Sequence, residues 1–269
     1  MPASWHVARK ALFISAFLLW GGTYSCATSL ADSTRKDCRS HQFDELAVVA
    51  KIYDGDTIKL TDGRVVRFIG INTPELSHDV KPAQPLAAEA KQALTVWLPI
   101  GSKVGLRYGQ DRQDHYQRML AHVYAPTGQN LTADLIAQGL GFAIVVPPNT
   151  AQTACYFARE RQARKQGRGI WSDPAYTPKT IHTLTKSDTG FQYVIGTITN
   201  IGWGKKNIWL DMGEGFSVRI QTKHLQYFAQ MPLEDLTGKQ LRVRGWVSFY
   251  NDKLRMNIGH PAMMELVDE

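Results

Sequence analysis

The chain reads as an α+β protein, a small β-barrel carrying helices followed by a second small, mainly β, barrel-like domain. Strand-like runs come first and helical patterns are interleaved late, with no regular βαβ alternation. A Pro-, Ser- and Thr-containing stretch at 172–190 then sets off a tail with five strand-like segments and one helical patch. The first domain is expected over residues 42–172, a linker over 173–190, and an OB-like accessory barrel, a kind that binds oligomers, over 191–269.

Each element has a local reason. Residues 47–60 and 64–71 are rich in Val and Ile and read as strands. Between them Asp62-Gly63 signals a two-residue hairpin turn. Leu86, Ala90, Ala93, Leu94 and Trp97 share one face of a helix over 86–98. Short strands at 103–108 and 120–124 flank a polar loop at 111–118. A second helix over 131–138 is stopped by Gly139, and 142–146 is again extended. After the Pro147-Pro148 turn, Thr150 offers an N-cap to a third helix ending at Gly167. In the tail, 192–201, 206–212, 216–221, 240–250 and 254–258 are strand-like, and 223–230 is helical.

At the N-terminus Arg9 and Lys10 precede the apolar run 11–20, and small residues follow. This is the layout of a signal peptide, expected over residues 1–27 with cleavage after Ala27 or Ala31. A lipoprotein anchor at Cys26 is the alternative. No later segment is long and apolar enough to cross a membrane. If Cys26 leaves with the signal, Cys38 and Cys155 remain. In an oxidising compartment they are most simply one disulfide, the alternative being two unrelated thiols. The segment through Ala27 holds two basic residues and no acidic one, so of the net charge of +7 the rest keeps +5. That excess favours polyanions such as nucleic acid.

The chemistry concentrates in Tyr53-Asp54-Gly55-Asp56-Thr57 and Arg67-Phe68-Ile69-Gly70-Ile71-Asn72-Thr73-Pro74-Glu75. Carboxylates, an amide, a hydroxyl and a guanidinium are the material for a hard cation and a phosphate. With the two-residue turn, Ile58 would oppose Arg67, and Asp56 would share Arg67's face. A calcium-assisted phosphodiesterase is the chemistry these residues suggest. The eight histidines show no zinc spacing; His78, His115 and His122 are too scattered.

Asp54-Gly55-Asp56-Thr57, Arg67, Asn72-Thr73-Pro74-Glu75, Asp114-His115-Tyr116-Gln117-Arg118 and residues 147–171 together resemble the staphylococcal nuclease family, over about 46–171. The resemblance implies a five-stranded OB-type barrel with three helices and calcium-dependent cleavage of DNA and RNA that leaves 3′-phosphate ends. It implies calcium ligands at Asp56 and, through its carbonyl, Thr73. Asn72 stands where the family places a second aspartate, which implies weaker calcium binding. Glu75 matches the general base, and Arg67 and Arg118 match the phosphate-binding arginines. Tyr116 matches a substrate-binding tyrosine. The substrates implied are DNA and RNA, single strands preferred. Asp54 is explained by a tight turn. Ala143 and Val145 occupy positions where the family's type member stacks aromatic rings on a base, and Gln117 replaces a glycine, which asks for a more ordinary backbone there.

In the tail, Trp203, Trp209, Phe216, Trp246, Phe249 and Tyr250 are interleaved with Lys205, Lys206, Arg219, Arg242, Arg244 and Arg255. Such a pattern can grip a single strand. It also describes a barrel with aromatics inside and charges outside, and the alternation over 241–247 favours that reading.

Overall fold

Strand β1 (Glu45–Ile52) runs into β2 (Thr57–Leu60), and β3 (Val65–Phe68) into the two-residue β4 (Ile71–Asn72). Helix α1 (Ala87–Trp97), β5 (Lys103–Gln113), β6 (Met119–Tyr124), α2 (Leu131–Ala137), β7 (Phe142–Ala143) and α3 (Thr153–Lys165) complete the first half. This computed structural model describes residues 38–77 and 82–267. The expected signal peptide, Cys26 and His78 lie outside them.

β1-β2-β3-β6-β5 close into a five-stranded barrel. Period-two burial puts Val49, Ile58, Leu60, Val66, Phe68, Val104, Leu106 and Val123 inside. Helix α1 buries Ala90 and Leu94 against this core. Asn130 caps α2, accepting from the Ala133 N–H at 2.9 Å.

Four local expectations need correction. Residues 47–60 are two strands, because Asp54-Gly55-Asp56 turns the chain between β1 and β2. β5 runs on to Gln113, which shortens the expected polar loop. α3 starts at Thr153, after Gln152 in a left-handed conformation; the Thr150 carbonyl instead accepts from the Thr153 hydroxyl at 2.6 Å. The β2–β3 register is also one residue off the expected one: Arg67 opposes Thr57, not Ile58. The loop has three residues, Thr61-Asp62-Gly63, with Gly63 at φ 92° and its N–H bonded to the Leu60 carbonyl. The left-handed glycine adds the residue that shifts the ladder.

Cys38 and Cys155 form a disulfide joining the start of the described chain to α3, with Cα atoms 5.8 Å apart and a sequence separation of 117. Closing so long a loop is worth about 3–5 kcal/mol in the chain-entropy view. Cys38→Ser with Cys155→Ser should therefore lower the unfolding free energy measured in urea by that amount, with a matching fall in the midpoint. An unchanged midpoint would show that the bridge contributes nothing.

The stretch 173–190 carries 3₁₀ turns and β8 (Lys179–Thr180), which pairs in parallel with β9 (Gly190–Thr197). Then come β10 (Asn200–Trp203), β11 (Asn207–Gly213), β12 (Phe216–Gln221), β13 (Gln240–Tyr250), β14 (Lys253–Ile258) and β15 (Met264–Leu266). The helical patch is a 3₁₀ segment, Thr222–Phe228. The sheet order is β10-β11-β12-β14-β13-β9-β8, with β15 on β13. β9 and β10 are successive, joined through Ile198-Thr199, and pair with β13 and β11 respectively, so the sheet curls towards itself.

The aromatics-inside reading of the tail holds for Phe216 but not for Trp246, which is 41% exposed on the outer face. Arg244, on that same face, is buried by the first half of the chain. It makes a two-pronged ion pair with Glu160 of α3, at 2.7 and 2.6 Å. Phe142 packs against Trp171, Phe191 and Tyr193, with ring centroids 5.3–5.6 Å apart. Phe142, Ile144 and Val145 thus belong to the core of the C-terminal sheet.

Candidate active site

The site is built where the β1–β2 turn meets the end of β3 and β4. Asp54 accepts the Asp56 N–H at 3.0 Å, an Asx turn that aims the Asp56 carboxylate inward. A side chain at Gly55 would meet Ala90 and Thr73 at 2.7 and 2.8 Å, so only glycine lets α1 and Thr73 close on the turn. Asp56 is buried; it accepts the Thr57 hydroxyl at 3.0 Å and the Thr73 N–H at 2.9 Å. The Arg67 guanidinium pairs with the same carboxylate at 2.9 Å. The slipped register would put Asp56 and Arg67 on opposite faces of an ideal ladder. They meet because Asp56 precedes the strand and is not bound by its alternation.

Arg67 also donates to the Phe68 and Ile71 carbonyls at 3.1 and 2.9 Å and to Asn72 Oδ1 at 3.2 Å. Asn72 is pinned from the other side by β7, where it pairs with Phe142. Burial, then the adjacent Asp56 charge, push the Asp54 carboxyl up to about 7. Two crowded carboxylates beside an amide oxygen and a backbone carbonyl form an all-oxygen donor set, the preference of a hard cation. Among the described residues no group of three or more His, Cys, Asp or Glu could hold a metal. A cation here would therefore lean on Asp56, the Asn72 amide oxygen and the Thr73 carbonyl.

Glu75 is exposed and follows Thr73-Pro74. Its N–H donates to Gln84 Oε1 at 2.8 Å, and its carbonyl accepts the Gln84 N–H at 2.9 Å. Asn72, Thr73, Glu75 and Tyr116 of the first half and Phe191, Gln192 and Trp246 of the C-terminal sheet together line a cleft of about 770 Å³.

Arg118 stands apart from the Asp56 hub. Asp114 binds it at 2.8 and 2.7 Å, and its guanidinium lies 5.3 Å from the Tyr116 ring centre. It stands one residue before β6, in which Leu120 is the partner of Arg67 in the β3–β6 ladder. Gln117 corrects the expectation of an ordinary backbone: it keeps a left-handed φ of 64° despite its side chain. Asp114 holds that turn by accepting the Tyr116 and Arg118 N–H groups at 2.9 and 3.0 Å.

Ala143 and Val145 are buried. The Ala143 N–H donates to Glu160 of α3 at 2.8 Å within the barrel's own core, whereas the Val145 N–H meets Met263 Sδ at 3.3 Å, so the C-terminal half covers Val145. Sequence alone does not reveal the raised Asp54 carboxyl, the Glu160–Arg244 pair or the place of Trp246 and Phe191 on the cleft. The one signal for the last was Trp246 itself, lodged in an arginine-rich strand.

A profile described as "Staphylococcal nuclease homologue" matches residues 65–173. The chain is 35% identical over 128 residues to the SPbeta prophage-derived endonuclease YokF of Bacillus subtilis, covering 46% of this chain and 43% of that one. It is 32% identical over 136 residues to an uncharacterized endonuclease of Escherichia coli O157:H7, covering 49% of this chain and 81% of that one. The chain belongs to the staphylococcal nuclease family. A third family relative, the thermonuclease of Staphylococcus hyicus, is 33% identical over 129 residues, 46% of this chain and 75% of that one. The closed five-stranded barrel with helices is consistent with the family's OB-type fold.

Proposed function

We propose that the chain is a calcium-dependent endonuclease that hydrolyses phosphodiester bonds of DNA and RNA, single strands preferred, and leaves 3′-phosphate ends. One observation carries this: Arg67 joins Asp56 and Asn72 in a buried hub, next to Thr73 and Glu75 on the wall of a strand-sized cleft. Asp56, Asn72 and the Thr73 carbonyl would hold the cation, which when bound supplies positive charge to the phosphate and orients water. Glu75 takes the proton of the attacking water. As the water oxygen bonds to phosphorus the P–O5′ bond breaks; the 5′-oxygen takes a proton from solvent and the phosphate stays on the 3′ side. Arg67 and Arg118 neutralise the charge gathering on the phosphoryl oxygens, and Tyr116 contacts the substrate.

Export to the periplasm or the exterior is part of this proposal. The Arg9-Lys10 start before an apolar run supports it, as does the Cys38–Cys155 disulfide, which suits an oxidising compartment.

The test is hydrolysis of single-stranded DNA with calcium, with excess chelator, and by Glu75→Gln. Cleavage should require calcium and fall by about 10²-fold or more in the variant. Binding without cleavage in millimolar calcium would make the chain a nucleic-acid-binding protein instead.

A further inference from the structure

The catalytic cleft does not end at the first barrel. Phe191 and Trp246 of the C-terminal sheet also line it, packed edge to face with ring centres 5.3 Å apart. Trp246 also borders a second hollow of about 300 Å³, shared with Arg219 and Asn257. On the neighbouring strands Arg219 pairs with Asn257 and with Trp209, and donates to Asn257 Oδ1 at 2.6 Å. Arg255, one step along the same face, lies 5.3 Å from the Trp209 ring centre and 4.9 Å from that of Tyr250. An unbroken path of rings and guanidinium groups thus leads from the cleft across β13, β14, β12 and β11, about 14 Å at the usual strand spacing. Towards β9 the same face is covered by the nuclease half through Arg244 and Phe142. Beyond Trp246, Asn257 and Tyr250 are exposed and Trp209, Arg219 and Arg255 are half-buried, with Val146 and Pro147 bordering the hollow at Arg219.

We propose that this face is a binding track for single-stranded nucleic acid continuous with the catalytic cleft, with Trp246 at the junction. It rests on the nuclease reading above and names where the rest of the strand lies. Flat rings spaced among arginines match unpaired bases on a polyanionic backbone, with stacking on Trp246 and Trp209 and phosphates on Arg219 and Arg255. A duplex hides its base faces and cannot use the rings. The track also accounts for how a family member with buried Ala143 and Val145 holds bases: the aromatic surface comes from the second domain.

The experiment measures binding of fluorescein-labelled dT12 and dT3 by anisotropy to the full chain carrying Glu75→Gln, in chelator, at several salt concentrations. The parent should bind dT12 far more tightly than dT3. Trp246→Ala and Trp209→Ala should each weaken dT12 binding about tenfold. Arg219→Gln and Arg255→Gln, both half-buried, should each flatten the salt dependence by about one ion. Affinity for dT12 within twofold of the parent in all four variants would overturn the track. So would tighter binding of a heparin oligosaccharide of equal charge. Cleavage of dT12 by the unmodified chain in calcium is scored separately. Ring-dependent binding without cleavage refutes the nuclease reading alone, and cleavage with ring-independent binding refutes the track alone.

Discussion

Arg67→Lys is expected to lower turnover of single-stranded DNA by about 10²–10³ while costing only about 1–2 kcal/mol of stability. In the structure one guanidinium serves Asp56, Asn72 and the carbonyls of Phe68 and Ile71 together. A lysine keeps a positive charge beside the buried Asp56 carboxylate, so the hub survives. It lacks the planar fork that can hold a carboxylate and present two parallel N–H groups to a phosphate. The loss should therefore fall on kcat, not on folding. Single-turnover rates at saturating calcium, measured beside thermal midpoints, check this. A rate within twofold of the parent would remove Arg67 from the chemistry. A collapse of the midpoint would mark it as a folding residue.

Arg244→Met is expected to destabilise the protein by about 3–5 kcal/mol, the largest single-residue effect on stability foreseen here. Arg244 and Glu160 are 6% and 3% exposed, so each has lost its water and has mainly the other in exchange. Glu160 has a second duty, accepting the Ala143 N–H, which ties β7 to α3. Removing the arginine leaves a buried carboxylate unpaired. The double variant Arg244→Met with Glu160→Gln should recover much of the loss, because no charge is then stranded. Urea unfolding of parent, single and double variants reads this out. A single-variant loss under about 1 kcal/mol would show that the pair is solvated and does not join the halves.

Much of the candidate site was legible because its parts are close in sequence. Asp56, Arg67, Asn72 and Thr73 lie within 17 residues, and turn chemistry around Asp54-Gly55 and Asp62-Gly63 brings them together with little help from elsewhere. The register is not legible because a three-residue loop with a left-handed glycine and a two-residue turn share the same Asp-Gly signal. The backbone at Gln117 is not legible for a related reason: residue type predicts a preferred backbone, and the Asp114 side chain overrides that preference.

The sequence by itself determined the α+β class, the barrel strands, the three helices, the cysteine pair and the cluster of oxygen donors with its arginine. All of these rest on short-range periodicity, turn residues and composition, which act within a few residues. Only the tertiary structure decided that Ala143 is buried in the barrel core and Val145 beneath the C-terminal sheet, that Arg244 meets Glu160 across 84 residues, and that Trp246 faces the cleft. Alternation along β13 tells which side chains share a face, but not what will cover that face. Arg242, Arg244 and Trp246 lie on one side of one strand; Arg244 is buried and Trp246 exposed because of where α3 and Phe142 dock.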